Sequence, residues 1–546
     1  MNSLKPMLLT CLKSYDKSQF IKDVTAGIIV AIIALPLSIA LALASGVGPE
    51  AGIFTAIVAG FVISALGGSC VQIAGPTAAF ATIVAGIVAR DGMDGLIIAT
   101  IMAGIFLILM GLFHFGSLIK FIPYTITTGF TSGIAVTIVI GQLKDFFGVT
   151  YPDGVKPIET TEKTKAFVQN ISSVNTDALI VGIVSLAILI LAPYIFKKVP
   201  GSLIAVIVGI LMVQFLPLKV STIGNLYTIS NSLPSFHMPA IRFSTISASV
   251  SNAFTIAVLA AIESLLSCVV ADGMINSKHR SDMELVAQGA GNIASALFGG
   301  IPATGAIART AANIKNGGRT PIAGMVHSVT LIIVLVVLMP YAGMIPMPTI
   351  AAILFIVAYN MCQWRTFRDL VRTAPKSDIL VLIVTFVLTV IFDLVVAIEI
   401  GMVLACLLFI KRMSEETHAD SWVYTDDDTP DIDEHLQKLP LQIRVYEITG
   451  PLFFGAADAI EHIVVKDFTR CLVLRMRGVP ALDSTAMNAL QNLVKTCESK
   501  GITLVFSHVN EQPMHVMEKA GFVELVGKEN FQSNISAALK RAEEVI

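Results

Sequence analysis

Residues 299–310 read GGIPATGAIART, and this stretch decides how the rest of the chain is interpreted. Two glycines and a proline break an apolar run, a helix is predicted to restart near Ala303, and Arg309 then places a cation in sequence long enough to cross hydrocarbon. A helix that begins inside a bilayer directs unpaired N–H groups and its positive dipole end at whatever precedes it. Small side chains at Ala303, Thr304 and Gly305 would let a ligand approach these amides. The stretch predicts an anion site; the alternative is a Gly/Pro kink with Arg309 extending to the surface.

A second copy of this pattern occurs earlier in the chain. Residues 64–80 read SALGGSCVQIAGPTAAF, and SALFGG precedes the later break. In both places a Ser-Ala-Leu helix end meets a glycine pair, then a short extended piece, then a new helix with small residues at its start. Thr77, Ala78 and Ala79 form the earlier start. Two interrupted segments in corresponding positions of two halves predict the substrate site of a transporter built from inverted repeats.

The composition places most of the chain in lipid. The 546 residues are 55% hydrophobic and only 14% charged, with a mean hydropathy of +0.78, which excludes an ordinary soluble enzyme. The seven cysteines include no CxxC pair, which argues against a zinc site and a disulfide framework. We therefore predict no catalytic residue, cofactor, metal or nucleic-acid partner.

The apolar segments and the charges between them predict the topology. Residues 24–412 hold about fourteen segments able to cross or half-cross a bilayer, or seven in each half. Alternate loops are rich in Lys and Arg, which predicts cytoplasmic termini for residues 1–23 and for the C-terminal part. The positively charged residues of these loops are Lys120, Lys197, Lys198, Lys278, Arg280, Lys315, Arg319, Arg365, Arg368, Arg372, Lys376, Lys411 and Arg412.

The composition changes after the last apolar segment. Residues 413–438 are acidic and polar and are predicted to be a linker. Residues 439–546 alternate strand-like and helix-like segments, which predicts a small cytoplasmic α/β domain with a mostly parallel sheet. Asp483 or Ser484 is placed to cap the helix that follows.

Glu263 is the most informative charged residue of the membrane part. It has no ionisable neighbour in the segment between Arg242 and Asp272. A carboxylate at that depth costs roughly 2.5 to 3.5 kcal/mol on insertion scales, so it normally faces a cavity or a partner. We predict that Glu263 binds and releases a proton or ligates a cation during transport; the alternative is a structural salt bridge, for example with Arg309.

These stretches also carry a family resemblance that covers nearly the whole chain. The membrane part resembles the sulfate permease family of anion transporters (SulP, or solute carrier 26), and the C-terminal part resembles the STAS domain of that family. Within the family the sequence is similar to a bacterial branch that includes C4-dicarboxylate carriers. The motifs that carry the resemblance are AGIIVAIIALPLSIALALASG, QIAGPTAAF, FIPYTITTGFTSGIA, AIESLLSCVVADGM, GGIPATGAIARTAANI and LDSTA.

The resemblance implies a fold and a site. The family has fourteen transmembrane segments in two inverted repeats, divided into core and gate domains, and binds its anion between the starts of the third and tenth helices. These starts match residues 77–79 and 303–305, and Arg309 matches an arginine beside the site. Glu263 matches an acidic position on the eighth helix. Bicarbonate carriers bind sodium there with a second acid one turn earlier, where this chain has Leu259, so the resemblance favours proton coupling.

The resemblance also implies a homodimer, an elevator-like movement of the core domain, and a STAS domain that contacts a regulatory protein. Many members have glutamine after the proline of the first helix, where this chain has Leu37, so a polar contact at that point is in doubt. The serine of a DSxx turn is phosphorylated in related anti-sigma-factor antagonists. Ser484 occupies that place, as a regulatory site or as the helix N-cap.

The sequence thus predicts a secondary active transporter of the inner membrane that carries sulfate, another small oxyanion or a C4-dicarboxylate with a proton. The alternatives are an uncoupled anion channel, a sodium-coupled bicarbonate transporter, a nucleobase transporter of the same fold, and a membrane anchor for the C-terminal domain. Arg309 and the STAS domain argue against the nucleobase transporter, and the paired half-helix motifs argue against the anchor.

Overall fold

The computed structural model describes residues 4–117, 122–152, 157–195, 199–239, 243–392, 394–421, 440–461, 463 and 468–546. Lys120, Lys197, Lys198 and residues 422–438 of the predicted linker lie outside the described residues. The chain forms two compact units, Met1–Met402 and Val403–Ile546. Each unit is described by itself.

The first unit is mainly helical, because its apolar segments satisfy their backbone groups within helices, as a bilayer requires. Its helices are α1 (Leu8–Cys11), α2 (Lys17–Ala44), α3 (Pro49–Leu66), α4 (Ala78–Leu112), α5 (Tyr124–Phe147), α6 (Thr160–Gln169), α7 (Thr176–Ile195), α8 (Gly201–Phe215), α9 (Ile223–Leu226), α10 (Phe243–Ile275), α11 (Ser281–Leu297), α12 (Ile307–Lys315), α13 (Ile322–Ala342), α14 (Met347–Cys362), α15 (Trp364–Thr373) and α16 (Lys376–Ile391), and α17 (Leu394–Glu415) begins in it. Two short strands, β1 (Ala74–Gly75) and β2 (Thr304–Gly305), complete this unit.

The helices are consistent with the predicted set of apolar segments. Among the described residues, eight helices are long and apolar enough to cross a membrane by length and composition. Helix α4 contains a non-helical residue, Gly92, with φ of 69° and ψ of −170°, and divides there into two segments. The shorter apolar helix α8 adds a segment able to half-cross the bilayer. The predicted class, a polytopic helical membrane protein with a small α/β domain, is confirmed.

The helices of the first unit pack in two groups. Helices α2, α3, α4, α10, α11, α12 and α13 contact mainly one another, and so do α5, α7, α8, α14 and α16. Glycines allow the closest packing in the first group: a Cβ at Gly104 of α4 would collide with the Gly289 carbonyl of α11, and a Cβ at Gly289 with the Gly104 carbonyl. Small residues at helix contacts are the usual way to bring membrane helices together. The grouping corresponds to a core and a gate.

The second unit holds a five-stranded sheet with helices on its faces. Its strands are β3 (His418–Ser421), β4 (Ile443–Thr449), β5 (Cys471–Gly478), β6 (Thr503–Ser507) and β7 (Phe531–Gln532), in that spatial order. Strands β4 to β7 are parallel and β3 is antiparallel to β4. Its helices are α18 (Asp458–Glu461), α19 (Ser484–Ser499), α20 (Glu511–Lys519), α21 (Phe522–Val526) and α22 (Ile535–Val545). The mostly parallel sheet agrees with the sequence, whereas β3 lies inside the stretch interpreted as a linker.

Asp483, and not Ser484, caps helix α19. The Asp483 carboxylate accepts hydrogen bonds from the amide of Ala486 at 2.9 Å and the amide of Phe454 at 2.8 Å. Ser484 is the first residue inside the helix and its side chain is exposed. The N-cap role proposed for Ser484 is therefore wrong, because the preceding carboxylate already occupies the cap.

We expect Asp483→Ala to weaken the first turn of α19 and Ser484→Ala to leave it unchanged. Loss of an N-cap costs about 0.5 to 2 kcal/mol, so amide exchange in this turn of the full-length protein should accelerate several-fold in the first variant only. Hydrogen exchange with mass spectrometry measures this. Equal acceleration in both variants would contradict the assignment of the cap.

Candidate functional site

The two breaks in the apolar sequence meet in the folded chain. Strand β1 pairs antiparallel with β2, with Ala74 opposite Gly305 and Gly75 opposite Thr304. The amide of Ala306 donates to the Ile73 carbonyl at 2.9 Å, which extends the pairing by one bond. The antiparallel direction is the one that two oppositely oriented copies of the same motif require. The helices that follow the breaks, α4 and α12, therefore begin beside each other.

Side chains hold the second break in an extended form. Asn292 of α11 accepts from the Ala303 amide at 2.8 Å and donates to the Ala303 carbonyl at 2.9 Å. Ser264 of α10 bonds the Thr304 hydroxyl at 2.6 Å and accepts from the Gly305 amide at 3.1 Å. Helix α12 consequently begins at Ile307 and not near Ala303. The amides of Ala303 and Gly305 thus have protein partners already.

The amides that remain open belong to the first turns of α4 and α12. Helix α4 begins at Ala78 and helix α12 at Ile307, and neither has a side-chain cap. Among the described residues, no acceptor lies within hydrogen-bond distance of the amides of Ala78, Ala79, Ile307 or Ala308. The earlier helix thus starts within residues 77–79, whereas the later helix starts a few residues beyond residues 303–305. The positive N-terminal ends of α4 and α12 therefore lie in the same region of the first unit. Anion binding at either start stays a prediction.

Arg309 is the only positively charged residue in the first turns of α4 and α12. Its side chain is 1% exposed. One terminal nitrogen, Nη2, donates to the Ser38 hydroxyl at 3.3 Å and the Pro76 carbonyl at 3.2 Å. The Nε and Nη1 atoms are buried and have no hydrogen-bond partner among the residues that the structure describes. A Cβ at position 75 would collide with Nη1, so any larger residue there would displace the guanidinium from its present position. Unpaired buried donors are costly, and an anion or water would satisfy them.

Glu263 contacts the residue that precedes helix α4. It is half-buried on α10, and its Oε2 accepts from the Thr77 hydroxyl at 3.0 Å. No ion pair joins Glu263 to Arg309 in the described part of the chain, so the salt-bridge alternative has no support. Leu259, one turn earlier, is fully buried. Glu263 is therefore a carboxylate held beside the open amides of α4.

A second buried carboxylate, Glu284, was not predicted from the sequence. It is 0% exposed and accepts four hydrogen bonds, from the amides of Gly68 and Ser69 at 2.9 and 3.2 Å and from the side-chain amides of Gln72 and Gln288 at 2.8 and 2.9 Å. Gln72 in turn accepts from the Cys268 thiol at 2.7 Å. This network fixes the connection between α3 and β1. The signal in the sequence was the recurrence of polar residues every four positions, at 284, 288 and 292, on one face of α11.

We expect Glu284→Ala to destabilise the membrane unit strongly, because it leaves four donors unpaired in a buried place at about 1 to 3 kcal/mol for each group that finds no other partner. Thermal unfolding of the purified full-length protein should show a fall in Tm of several degrees, whereas Glu498→Ala, at an exposed position of α19, should leave Tm unchanged. A Tm of Glu284→Ala equal to that of the unsubstituted protein would show that the network carries no stability.

Comparisons with known proteins bear on both units. A family model described as "Sulfate permease family" matches residues 20–385, and one described as "STAS domain" matches residues 438–538. A putative sulfate transporter, YvdB of Bacillus subtilis, is 39% identical over 95% of this chain and 97% of its own length. The bicarbonate transporter BicA of a Picosynechococcus species is 32% identical over 95% of this chain and 94% of its own.

Solved structures agree with the fold. Murine solute carrier 26 family member A9, described as an anion transporter in the inward-facing state, superimposes with a TM-score of 0.89 over 99% of this chain and 94% of that one, at 18% identity. The transmembrane domain of a cyanobacterial bicarbonate transporter BicA gives a TM-score of 0.62 over 72% of this chain and 98% of that one, at 28% identity. Both the order of the helices and the C-terminal domain are thus shared with known transporters.

Proposed function

We propose that this chain, which belongs to the sulfate permease family, is a secondary active transporter that carries a small oxyanion or a C4-dicarboxylate together with a proton. Membership makes it a multi-pass membrane protein of an anion-transporting family, with no enzymatic activity implied. The choice of anion, the coupling ion and the mechanism are the proposal. The observation that supports it most is the buried guanidinium of Arg309 beside two open helix starts, with Nε and Nη1 lacking a hydrogen-bond partner among the described residues.

The anion would bind where these donors converge. The amides of Ala78 and Ala79 from one half and of Ile307 and Ala308 from the other would donate to its oxygens, with the free nitrogens of Arg309 completing the set. Helix ends and a guanidinium together compensate an anion's charge without a metal ion. Since none of these donors needs to break a protein hydrogen bond first, little of the binding energy is lost to rearrangement.

Glu263 would couple the anion to a proton by electrostatics. Its carboxylate bonds Thr77, the residue that precedes the open amides of α4. An ionised Glu263 repels an anion bound at those amides, and the repulsion is large in a poorly hydrated site. Protonation removes the negative charge, so proton and anion would bind together and leave together. This is symport.

The two packing groups of helices suggest the movement. Residues that would bind the anion lie on α4 and α12, and Glu263 lies on α10. All three helices belong to the first group, which would slide as one body against the second in an elevator-like step. We also propose a homodimer in the inner membrane with both termini in the cytoplasm, and a regulatory protein as the partner of the STAS domain, where exposed Ser484 would be a modification site.

Transport into proteoliposomes tests the proposal. A competition panel of sulfate, bicarbonate and C4-dicarboxylates identifies the anion, and an inward proton gradient should then drive its accumulation against its own gradient. An ohmic flux that ignores the pH difference would instead identify an uncoupled channel.

The second candidate is a sodium-coupled bicarbonate transporter, because two relatives 32% identical to this chain are named bicarbonate transporters. Leu259 argues against it, since this buried apolar side chain offers no oxygen to a cation beside Glu263. Uptake that requires sodium and ignores the pH difference would favour this candidate over proton symport.

A further inference from the structure

Helix α15 carries a row of exposed cations that transport does not use. Arg365, Arg368 and Arg372 are spaced three and four residues apart, so they lie on one face of the helix, and all three are exposed. We name these three residues the cationic stripe. Lys376, also exposed, follows at the start of α16. The stripe therefore presents several positive charges to the surroundings of the protein.

An apolar face runs beside the stripe. Trp364 and Val371 are 41% and 37% exposed although both are apolar. Phe367 anchors the helix to the protein, with its ring centroid 5.3 Å from that of Phe386 on α16. Cations next to exposed apolar side chains are typical of a helix that lies in the membrane interface, where tryptophan is enriched. The position of α15 between two membrane helices, α14 and α16, agrees with this.

Most hydrogen-bonding capacity of the stripe is unused by the protein. Arg365 and Arg372 form no ion pair within the described residues, and Arg368 pairs only with its exposed neighbour Asp369 at 3.0 Å, a kind of contact that contributes little. The guanidinium carbons of Arg365 and Arg368 lie 5.6 and 5.2 Å from the ring centre of Trp364. Both cations thus lie near the ring, and Arg368 donates through Nε and Nη2 to Asp369. The side chains of Arg365 and Arg372 form no hydrogen bond with the described residues. Such planar forks bind phosphate oxygens in pairs.

We propose that the cationic stripe binds the phosphates of anionic phospholipids, with Trp364 and Val371 inserted among the adjoining acyl chains. Charge complementarity and the apolar neighbours favour a lipid over a soluble anion, because free phosphate would use the arginines and leave the apolar face uncovered. Helices α14, α15 and α16 all contact α5. The lipid would therefore hold the second packing group at the membrane surface while the first group moves.

Tryptophan fluorescence tests this without measuring transport. The chain has two tryptophans, Trp364 and Trp422, so a full-length Trp422→Phe protein in phosphatidylcholine nanodiscs reports on Trp364 alone. Brominated phosphatidylglycerol and brominated phosphatidylcholine are added in turn at the same mole fraction, and both quench tryptophan on contact. We expect phosphatidylglycerol to quench several-fold more effectively, and the difference to shrink as salt rises.

The arginine variants decide which residues are responsible. In the variant Arg365→Gln/Arg368→Gln/Arg372→Gln, both lipids should quench Trp364 equally. The reason is that each cation near the surface contributes about fivefold to the local enrichment of anionic lipid. The matched control Lys144→Gln/Lys278→Gln/Lys315→Gln, at exposed positions outside the stripe, loses the same charge and should keep the preference. If the triple arginine variant elutes as an aggregate, Arg365→Gln and Arg372→Gln are measured singly, and each should show a smaller preference for phosphatidylglycerol than the parent protein.

Equal quenching by the two lipids in the parent protein, or a preference that survives in the arginine variants, would overturn the proposal. A preference lost to the same extent in the lysine control would also overturn it, because the attraction would then belong to the overall charge and not to the stripe. Inorganic phosphate that abolishes the preference at constant ionic strength would mean that the stripe is a soluble-anion site.

Discussion

Replacement of Arg309 by alanine is expected to weaken anion binding by roughly 10- to 150-fold, which corresponds to the about 1.5 to 3 kcal/mol of a hydrogen bond to a charged group. The guanidinium is buried, and two of its nitrogens have no partner in the described part of the chain, which leaves them available to the proposed anion. Isothermal titration of the purified protein with the anion chosen by competition measures the loss.

A companion variant separates binding from folding. Arg309→Lys keeps the positive charge but presents a single ammonium in place of the planar fork, so its affinity should lie between those of the parent protein and Arg309→Ala. An unchanged affinity in a folded Arg309→Ala protein would mean that the guanidinium does not contact the anion.

Glu263→Gln is expected to abolish anion accumulation driven by a pH gradient while anion binding is retained. The amide has no ionised form, so the charge change that couples proton and anion is lost, whereas the hydrogen bond from Thr77 has an oxygen to accept it. Proteoliposomes with an inward proton gradient measure accumulation, and titration measures binding.

The matched control is Glu399→Gln. Glu399 is exposed on α17 and distant in sequence from the two breaks, so proteoliposomes with this variant should accumulate anion normally. Proton-driven accumulation that persists in Glu263→Gln would remove this residue from the coupling mechanism. Loss of binding together with accumulation would instead make Glu263 part of the anion site.

The sequence predicted the main architecture because its signals are local. Glycine pairs, small residues and Arg309 mark the two breaks, and repetition of the motif implies that they meet. The start of α12 was misplaced by a few residues, because the extended form of residues 303–305 depends on Asn292 and Ser264. Those contacts come from other helices, and helix propensity carries no information about them.

Two other differences between the sequence-based expectations and the structure also come from contacts between residues distant in sequence. Strand β3 has four residues, three of them polar, and becomes a strand only by pairing with β4, more than twenty residues away. Sequence alone left Asp483 and Ser484 as equal candidates for the cap, and the additional bond from the Phe454 amide, a long-range contact, selects Asp483. Local patterns thus predict the elements, whereas partners distant in sequence decide their ends.

The central claim is that two broken membrane spans bring their open amides and Arg309 to one anion. Anomalous scattering from crystals of the full-length protein grown with selenate, a heavier analogue of sulfate, tests it most directly. We predict a selenium peak within hydrogen-bond distance of the first-turn amides of α4 and α12 and of the Arg309 guanidinium. A bound selenate elsewhere in the membrane unit, with these donors still unoccupied, would contradict the claim.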